Sequence, residues 1–272
     1  MEIKVRTEWI ELWQGTDDFA TISHAHDNWM QVTLPVKGTC LFTQDEKNYE
    51  LKQGSGLIQP PGARHHFELG KQTSVIILKV REQGAGGMDA MQPDYQAGST
   101  HDIRYTFDAD EVTGRFRNWM VALLQGQTAA DPLAVQEVES EIVGYVGELT
   151  GSVKPASAGS VKPAILGISD PHMLRAMTYM QDCYANAIRV DELAGIALQS
   201  RYHFIRSFRE ATGTTPYQYL LKLRIEGAIN QLLHSSATIA KISSDSGFAS
   251  TSQFYRSFLK LKGMTPQEFR QQ

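Results

Sequence analysis

The sequence has no uninterrupted apolar run of the roughly 18 residues that a membrane-spanning helix requires. Its start, MEIKVRTEWIELW, lacks a basic segment followed by an apolar one, so we expect no secretory signal peptide. Cysteine is scarce, since Cys40 and Cys183 are the only two, and they lack the close spacing of metal-binding cysteines. These absences argue against a membrane protein and a disulfide-rich secreted protein, and they favour a cytoplasmic location.

Charge is distributed unevenly along the 272 residues, although the whole chain has a net charge of only −4. Residues 1–169 hold 14 basic and 22 acidic residues, whereas residues 170–272 hold 12 basic and 8 acidic ones. All four tryptophans lie in the first part. A chain of this length can form two domains. The asymmetry therefore predicts an acidic first module and a basic second module with different partners.

The second module contains an internal repeat with an offset of fifty residues. SRYHFIRSFREATGTTP (200–216) aligns with STSQFYRSFLKLKGMTP (250–266), and the spacing of serine, phenylalanine, glycine and Thr-Pro is shared. In each copy the serine stands at an expected helix N-cap, two phenylalanines follow at i and i+4, and the glycine marks the helix end. The Thr-Pro pair then predicts the start of the next helix.

A short helix and a tight break precede each copy, in DELAGIAL (191–198) and in TIAKISSDSGF (238–248). The intervening PYQYLLKLRIEGAINQLLH (216–234) has the apolar spacing of one long helix. Two helix-turn-helix units joined by a long helix are predicted. This segment resembles the DNA-binding domain of AraC/XylS-type transcription regulators, and GFASTSQFYRSFLKLKGMTPQEFR (247–270) fits their pattern throughout. Ser243 and Ser246 replace an alanine and an apolar residue of that pattern, so we expect a slightly looser fifth helix.

The resemblance implies that the helix faces opposite the phenylalanines enter two successive major grooves of DNA. In the first recognition helix these positions are Arg201, Tyr202, Ile205 and Arg206. In the second they are Thr251, Ser252, Gln253 and Arg256. Arginine can pair with guanine and glutamine with adenine, while a phosphate contact or an internal salt bridge is the alternative for the arginines. Further basic residues, expected to contact phosphates or to be solvated, are Arg209, Lys222, Arg224 and Lys260.

Residues 3–80 are dominated by short segments rich in valine, isoleucine, threonine and aromatic residues, separated by turn residues. A small antiparallel barrel or sandwich is predicted. HAHDNWMQVTLPVKG (24–38) and GSGLIQPPGARHHFEL (54–69) have the spacing of the two cupin motifs, so the region resembles a cupin-like sensor barrel. The fit has departures, because Gln31, Leu69 and Asp18 replace the usual glutamate, asparagine and glycine.

His24 and His26 of these motifs can both point into the barrel, since alternate residues of a strand share a face, and His65 would supply a third imidazole. Three imidazoles suit Zn²⁺, Fe²⁺ or Ni²⁺, but Gln31 is a neutral ligand where the motif has a carboxylate. The other interpretation is a cavity for a small organic effector, with the histidines as polar lining. Further candidates for the lining are Trp29, Arg64 and Tyr49. The Arg64 guanidinium would suit a carboxylate group of an effector, and a solvated side chain is the alternative.

Two amphipathic helices are predicted after the barrel, over 108–127 and 131–151. Their apolar faces are wide, and the resemblance implies a homodimer interface here; packing within one chain is the alternative. The next stretch, 151–164, repeats GSVKPA around a two-residue spacer. Glycine, serine and Lys-Pro steps favour an extended or flexible backbone, so this stretch is predicted to be a linker.

We therefore predict an α+β protein of two domains. A cupin-like effector-sensing barrel covers 1–107, a helical dimerisation segment 108–150, a linker 151–169, and an all-α double helix-turn-helix domain 170–272. The predicted function is effector-responsive transcription regulation at promoter DNA. The resemblance implies activation through RNA polymerase, with repression as the other mode.

Two alternatives stay open at the level of the sequence. The first is a metal-dependent cupin enzyme with an appended DNA-binding domain, although no catalytic pair or nucleophile stands out. The second is a regulator controlled by its abundance, with no effector. The expected partners are double-stranded DNA, a small molecule and a second copy of the chain, with no membrane.

Overall fold

The computed structural model describes residues 2–81, 104–129, 131–149 and 170–271. The predicted linker at 151–169 lies outside these residues. The first part of the chain forms ten strands: β1 (Glu2–Arg6), β2 (Ile10–Thr16), β3 (Phe19–Ala20), β4 (Trp29–Lys37), β5 (Thr39–Gln44), β6 (Lys47–Lys52), β7 (Ser55–Gln59), β8 (His65–Leu69), β9 (Ser74–Arg81) and β10 (Arg104–Thr106).

The strands form two antiparallel sheets, with orders β1-β2-β9-β4-β7-β10 and β3-β8-β5-β6. Inward-facing side chains of both sheets share one apolar core, to which β2 contributes Trp13, β5 contributes Phe42, β8 contributes Phe67 and β9 contributes Ile77. The alternation of buried side chains along β5 and β6 follows the period of two that a strand imposes. The predicted antiparallel β domain is confirmed, in the form of two sheets that enclose one core.

Nine helices follow within the described residues: α1 (Ala109–Ala129), α2 (Pro132–Leu149), α3 (Pro171–Cys183), α4 (Val190–Ala197), α5 (Arg201–Thr212), α6 (Pro216–His234), α7 (Ile239–Asp245), α8 (Thr251–Lys262) and α9 (Pro266–Arg270). None of these helices combines the length and the apolar character that a membrane crossing requires. The predicted order of an antiparallel β domain followed by an all-α domain is confirmed.

Contacts divide the described chain into two units. Within the described residues, the barrel unit comprises 2–81, 104–124 and 141–149, and the helical unit comprises 125–129, 131–140 and 170–271. The first nine residues of α2 therefore belong to the helical unit. The predicted boundaries at 107, 150 and 169 stay predictions, but the contacts group residues 125–140 with the C-terminal helices.

Two apolar clusters form the core of the helical unit. The first contains Met173 of α3, Leu193 of α4, Phe204 of α5 and Leu220 of α6, together with Leu133 from the start of α2, which is 0% exposed. The second joins the later part of α6 to α7 and α8 through Ile225, Leu232, Ile242, Phe254 and Phe258. Because α6 contributes to both clusters, it connects the two helix-turn-helix units as the sequence predicts.

A buried ion pair fastens the start of α2 to α6. Asp131 Oδ2 lies 2.9 Å from Arg224 Nη1, and both side chains are 3% exposed. Arg224 also donates to the carbonyl oxygens of Tyr184 and Asn186, at 2.8 and 3.0 Å. The expectation that Arg224 contacts phosphate or is solvated is therefore wrong, since its charge is satisfied inside the unit.

The turn between α7 and α8 is tight. Ser246 ends α7 with no exposed surface, and its hydroxyl has no hydrogen-bond partner among the described residues. Gly247 follows with a φ of +82°, a left-handed conformation that favours glycine. Its α-carbon faces the backbone of Ala185, which leaves no room for a side chain.

Both cysteines are free thiols. Cys40 lies in the barrel core at 0% exposure, and burial raises its pKa to about 12. Cys183 is the last residue of α3 and is partly exposed. Cys183 also packs against the first apolar cluster.

Candidate functional site

The two candidate recognition helices, α5 and α8, are built in the same way. Ser200 and Ser250 cap them, each accepting from the backbone N–H three residues later, at 3.4 and 3.2 Å. Gly213 and Gly263 end them in the left-handed conformation, with φ of +72° and +74°. The four phenylalanines of the repeat are all 0% exposed. The caps, the helix ends and the apolar faces predicted from the repeat are confirmed.

On α5, the side chains predicted to contact DNA differ in exposure. Arg206 is exposed, and its Nε lies 3.0 Å from Glu210 Oε1 in a pair that water screens. Tyr202 is half-buried. Ile205 is also half-buried and packs against the first apolar cluster, so only part of its side chain is available to a base. Arg206 is therefore the most accessible of these four residues.

Arg201, at the start of α5, is held by Asp191 of α4. Its Nη2 lies 2.6 Å from Asp191 Oδ2, and its Nε donates to the other carboxylate oxygen. The Arg201 side chain is only 15% exposed. The Arg201 guanidinium is therefore paired with a carboxylate and turned away from the solvent, where DNA would lie.

We expect Asp191→Asn to tighten binding to duplex DNA several-fold at low salt, because Arg201 is released and a negative charge is removed. One additional phosphate contact would steepen the plot of log affinity against log salt by about 0.9. Fluorescence anisotropy over a salt series measures both. Asp182→Asn, at an exposed residue of α3, removes the same charge as a control. Unchanged affinity of Asp191→Asn would contradict the expectation.

On α8, Thr251, Ser252 and Arg256 are exposed, as the predicted DNA face requires. The outward position expected for Gln253 is wrong, since this residue is 5% exposed. Its Oε1 accepts from the Ala249 N–H at 3.1 Å, and its Nε2 donates to the Tyr217 hydroxyl at 2.9 Å. The spacing Ser-x-x-Gln from residue 250 is that of a capping box, but Gln253 accepts from the Ala249 N–H rather than from the N–H of the cap residue Ser250, so this spacing does not indicate its inward role.

The barrel brings His24, His26 and His65 together. Their ring centroids are 4.8, 4.6 and 5.4 Å apart, and one nitrogen from each ring lies within 4.8 Å of the others. An isolated bridge joins the backbones of His24 and His65, with N···O distances of 3.0 and 2.8 Å in the two directions. The predicted convergence of the three histidines is present in the structure.

The protonation pattern leaves nitrogen lone pairs for a ligand. His24 Nδ1 lies 2.8 Å from the Ile22 carbonyl and His65 Nδ1 lies 2.9 Å from the Ala63 carbonyl. A carbonyl only accepts, so both Nδ1 atoms carry a proton, and in a neutral His65 ring the Nε2 atom is then unprotonated. His65 Nε2 is buried without a hydrogen-bond partner among the described residues. Burial lowers the pKa of His65 and of His26 to about 4, so both rings are neutral at pH 7.

Sequence reasoning missed the charged pair beside these histidines, Lys79 and Glu11. Lys79 Nζ lies 2.9 Å from His26 Nε2 and 3.1 Å from Glu11 Oε1. Burial raises the pKa of Glu11, but the charges of Lys79 and Lys4 outweigh it and keep that pKa below its usual value. The sequence contained a signal for this pair. Lys79 in the apolar strand SVIILKV is on the same face as Val75 and Ile77, which are core residues, so the lysine has to face inward.

These residues fit a divalent transition metal. Neutral imidazoles that coordinate through Nε2, while the Nδ1–H is held by a carbonyl oxygen, are the usual ligands of such ions. For His26 Nε2 to bind an ion, the Lys79 ammonium that lies 2.9 Å from it would have to move aside, and that ammonium also contacts Glu11 at 3.1 Å. Gln31 contributes no charge to the site because an amide is neutral. This amide is buried and donates to Thr33 Oγ1 at 3.3 Å.

The remaining predicted lining residues are dispersed. Trp29 is half-buried, with the Arg6 guanidinium 5.1 Å from its ring centroid. Tyr49 belongs to the apolar core between the sheets. Arg64 is exposed, and its backbone N–H donates to Asp45 at 3.1 Å. The polar part of the barrel interior is instead completed by Thr33 and Gln59, joined by a 2.8 Å hydrogen bond.

Family comparisons agree with this division. Residues 13–83 match the AraC-like ligand binding domain, and residues 193–272 match a helix-turn-helix domain. An AraC-like ligand-binding domain is thus followed by a helix-turn-helix domain. The helix-turn-helix match contains α5, α6 and α8, and the ligand-binding match contains the three histidines.

Relatives are similar over part or all of the chain. The RCS-specific HTH-type transcriptional activator RclR of Escherichia coli K12 is 34% identical over 101 residues, which are 37% of this chain and 36% of that protein. This chain spans about a third of the length of the first curated relatives it matches. An uncharacterised HTH-type transcriptional regulator of Haemophilus influenzae is 25% identical over 99% of this chain and 93% of its own length.

Among solved structures, the DNA-binding domain of AdpA, crystallised with a target DNA, is 28% identical over 38% of this chain and 91% of that domain, with a TM-score of 0.35. The xylose-binding transcription activator XylR is 28% identical over 39% of this chain and 28% of its own, with a TM-score of 0.36.

Proposed function

We propose that this protein is an effector-responsive transcription regulator that binds promoter DNA through α5 and α8. The observation that supports it is the repeated pair of capped helices, each with a buried phenylalanine stripe and an exposed polar face. Together with an AraC-like ligand-binding barrel, this pair constitutes a DNA reader joined to a sensor.

The two exposed faces would read successive major grooves, about 34 Å apart on one side of the duplex. Arg206 and Arg256 occupy equivalent places in the two helices, and both are exposed. A guanidinium can bind guanine in a bidentate manner, which contributes about 1–3 kcal/mol of discrimination against another base. Thr251 and Ser252, at the start of α8, add hydroxyl groups that can bind a phosphate or a base edge.

Selection of DNA by the full chain from a random duplex library tests this function. We expect an operator with two half-sites, and we expect Arg256→Ala to lose about 10- to 100-fold in affinity together with base preference in one half-site. Lys260→Ala, at an exposed lysine of the same helix, should weaken binding uniformly across sequences, as loss of a phosphate contact does. Failure of the wild-type chain to enrich any sequence would overturn the proposal.

We also propose that His24, His26 and His65 bind a divalent transition metal in the sensor barrel. Isothermal titration with Zn²⁺ should give one site per chain in the wild type and none in His65→Ala. His66→Ala is the matched control, because His66 neighbours His65 on β8 but alternates to the other face. Equal zinc affinity in His65→Ala and wild type would contradict the metal site and favour the histidines as lining for an organic effector.

Several finer proposals rest on the family resemblance: a cytoplasmic location, activation through RNA polymerase, the absence of enzymatic activity, and homodimerisation. The predicted apolar stripe of α1 is largely used within the chain, since Phe116, Trp119 and Leu123 are buried. Exposed apolar side chains of α1 include Val121 and Leu124, at 48% and 51%. A dimer through α1 would use these two, and sedimentation of Leu124→Glu against wild type tests it.

A further inference from the structure

Glu137 stands well before the helix-turn-helix domain in the sequence, yet it contacts the connecting helix α6 of that domain in the fold. It belongs to α2, and its carboxylate accepts a hydrogen bond from the backbone N–H of Tyr217. Tyr217 is the second residue of α6. Its N–H is one of the first-turn donors that a helix leaves without an internal partner, so Glu137 acts as an additional cap on α6.

Three neighbouring contacts fix Glu137 in this position. Asp131 forms the buried ion pair with Arg224 at 2.9 Å. Leu133 is fully buried in the first apolar cluster. Gln136 accepts from the Val190 N–H at 2.7 Å, at the start of α4. The start of α2 is therefore an integral part of the helical unit rather than a segment resting on its surface.

The side chain of Tyr217 extends the contact to α8. Its hydroxyl accepts from Gln253 Nε2 at 2.9 Å, and Gln253 Oε1 accepts from the Ala249 N–H at 3.1 Å. Gln253 is 5% exposed, so neither bond competes freely with water. Burial raises the pKa of the Tyr217 hydroxyl to about 12, which keeps it protonated. The amide of Gln253 thus ties the N-terminal end of α8 to the first turn of α6.

We propose that Glu137 and Tyr217 are positioning residues for DNA recognition by α8, acting through Gln253. The end of α8 that they hold carries Thr251 and Ser252, two of the exposed residues on the DNA face. The inference rests on the proposed function, because it assigns to these residues a role in reading one half-site. Neither side chain needs to touch DNA for this role.

Half-site discrimination in the full chain tests the proposal. It is the ratio of the affinity for the operator selected by the wild type to the affinity for a duplex in which one half-site is scrambled, and one such duplex is used for each half-site. We expect Tyr217→Phe to reduce discrimination at the α8 half-site about tenfold, which corresponds to one lost hydrogen bond. Discrimination at the α5 half-site should be unchanged. Tyr219→Phe is the matched control, because the Tyr219 hydroxyl accepts from Gln181 of α3 instead.

Variants of Glu137 give an independent measurement. Glu137→Ala should reproduce the effect of Tyr217→Phe, and Glu137→Gln, which keeps an accepting oxygen, should retain most of the discrimination. The double variant Glu137→Ala/Tyr217→Phe should be no worse than Tyr217→Phe alone, since both changes interrupt one connection. Glu141→Ala, at an exposed glutamate of α2, should have no effect. Thermal melts of each variant show whether the fold is retained.

Equal losses at both half-sites would overturn the proposal, since a general weakening of the fold acts on both helices alike. Unchanged discrimination in Tyr217→Phe would overturn it as well. A wild-type chain that selects no operator would overturn the proposed function and this inference together, so the two failures can be told apart.

Discussion

Gly247→Ala is expected to unfold the helical unit under conditions in which the wild type is folded. A Cβ on this residue would lie 2.6 Å from the carbonyl oxygen of Ala185 and 2.8 Å from its α-carbon. Both are backbone atoms, so no side chain can rotate away. The φ of +82° adds strain of about 1–2 kcal/mol for any residue with a side chain. With the shift of backbone that the contact forces, we expect a loss of at least about 3 kcal/mol.

Gly213→Ala separates the two contributions. Gly213 has a similar φ of +72°, but a Cβ there would meet nothing within 4 Å. We expect this control to lose only the conformational part, about 1–2 kcal/mol. Urea unfolding followed by far-UV circular dichroism compares the two variants. Equal losses would show that the contact with Ala185 is relieved by a small backbone movement.

Asp131→Asn is expected to destabilise the helical unit by about 3 kcal/mol. The substitution keeps the shape of the side chain but leaves the buried Arg224 charge without its counter-charge, and breaking a buried ion pair in this way costs about 3–5 kcal/mol. We expect the lower end of this range because Arg224 keeps its hydrogen bonds to two carbonyl oxygens. Asp191→Asn, in the more exposed pair with Arg201, should change stability by less than about 1 kcal/mol.

The distribution of tryptophan provides an internal control for both stability experiments. All four tryptophans lie in the barrel unit. Tryptophan fluorescence therefore follows the barrel, while far-UV circular dichroism is dominated by the helices. In Asp131→Asn, the unfolding transition followed by circular dichroism should move to a lower urea concentration. A shift of similar size in Asp191→Asn would mean that the buried Asp131 pair stabilises the helical unit no more than the more exposed Asp191 pair does.

Local signals explain why the sequence predicted the helical unit well. The caps at Ser200 and Ser250 and the glycine helix ends depend on residues within one turn of each other. Each of these signals occurs in both copies of the repeat. The phenylalanines at i and i+4 also predicted which face of each recognition helix is buried. The same reasoning failed for Gln253, because its inward position depends on Tyr217, 36 residues earlier in the chain.

Long-range pairing accounts for the other failures. Arg224 has the composition of a DNA-contacting residue, and only the fold brings it to Asp131, 93 residues away. In the barrel, motif spacing located the three histidines, although His24 and His26 lie between β3 and β4 rather than in a strand, and an isolated bridge to His65 holds His24 in place. Lys79 was missed because an inward lysine is unusual unless it is paired, and its partner Glu11 lies on another strand.

The different surroundings of the two thiols have a practical consequence for spectroscopy. Alkylating reagents attack the thiolate of an accessible cysteine, and Cys40 offers neither exposure nor thiolate at neutral pH, since burial raises its pKa to about 12. Cys183, at the end of α3, is partly exposed. The wild-type chain therefore supplies a single labelling position on the helical unit, so a fluorophore can be attached there without engineering a cysteine-free background.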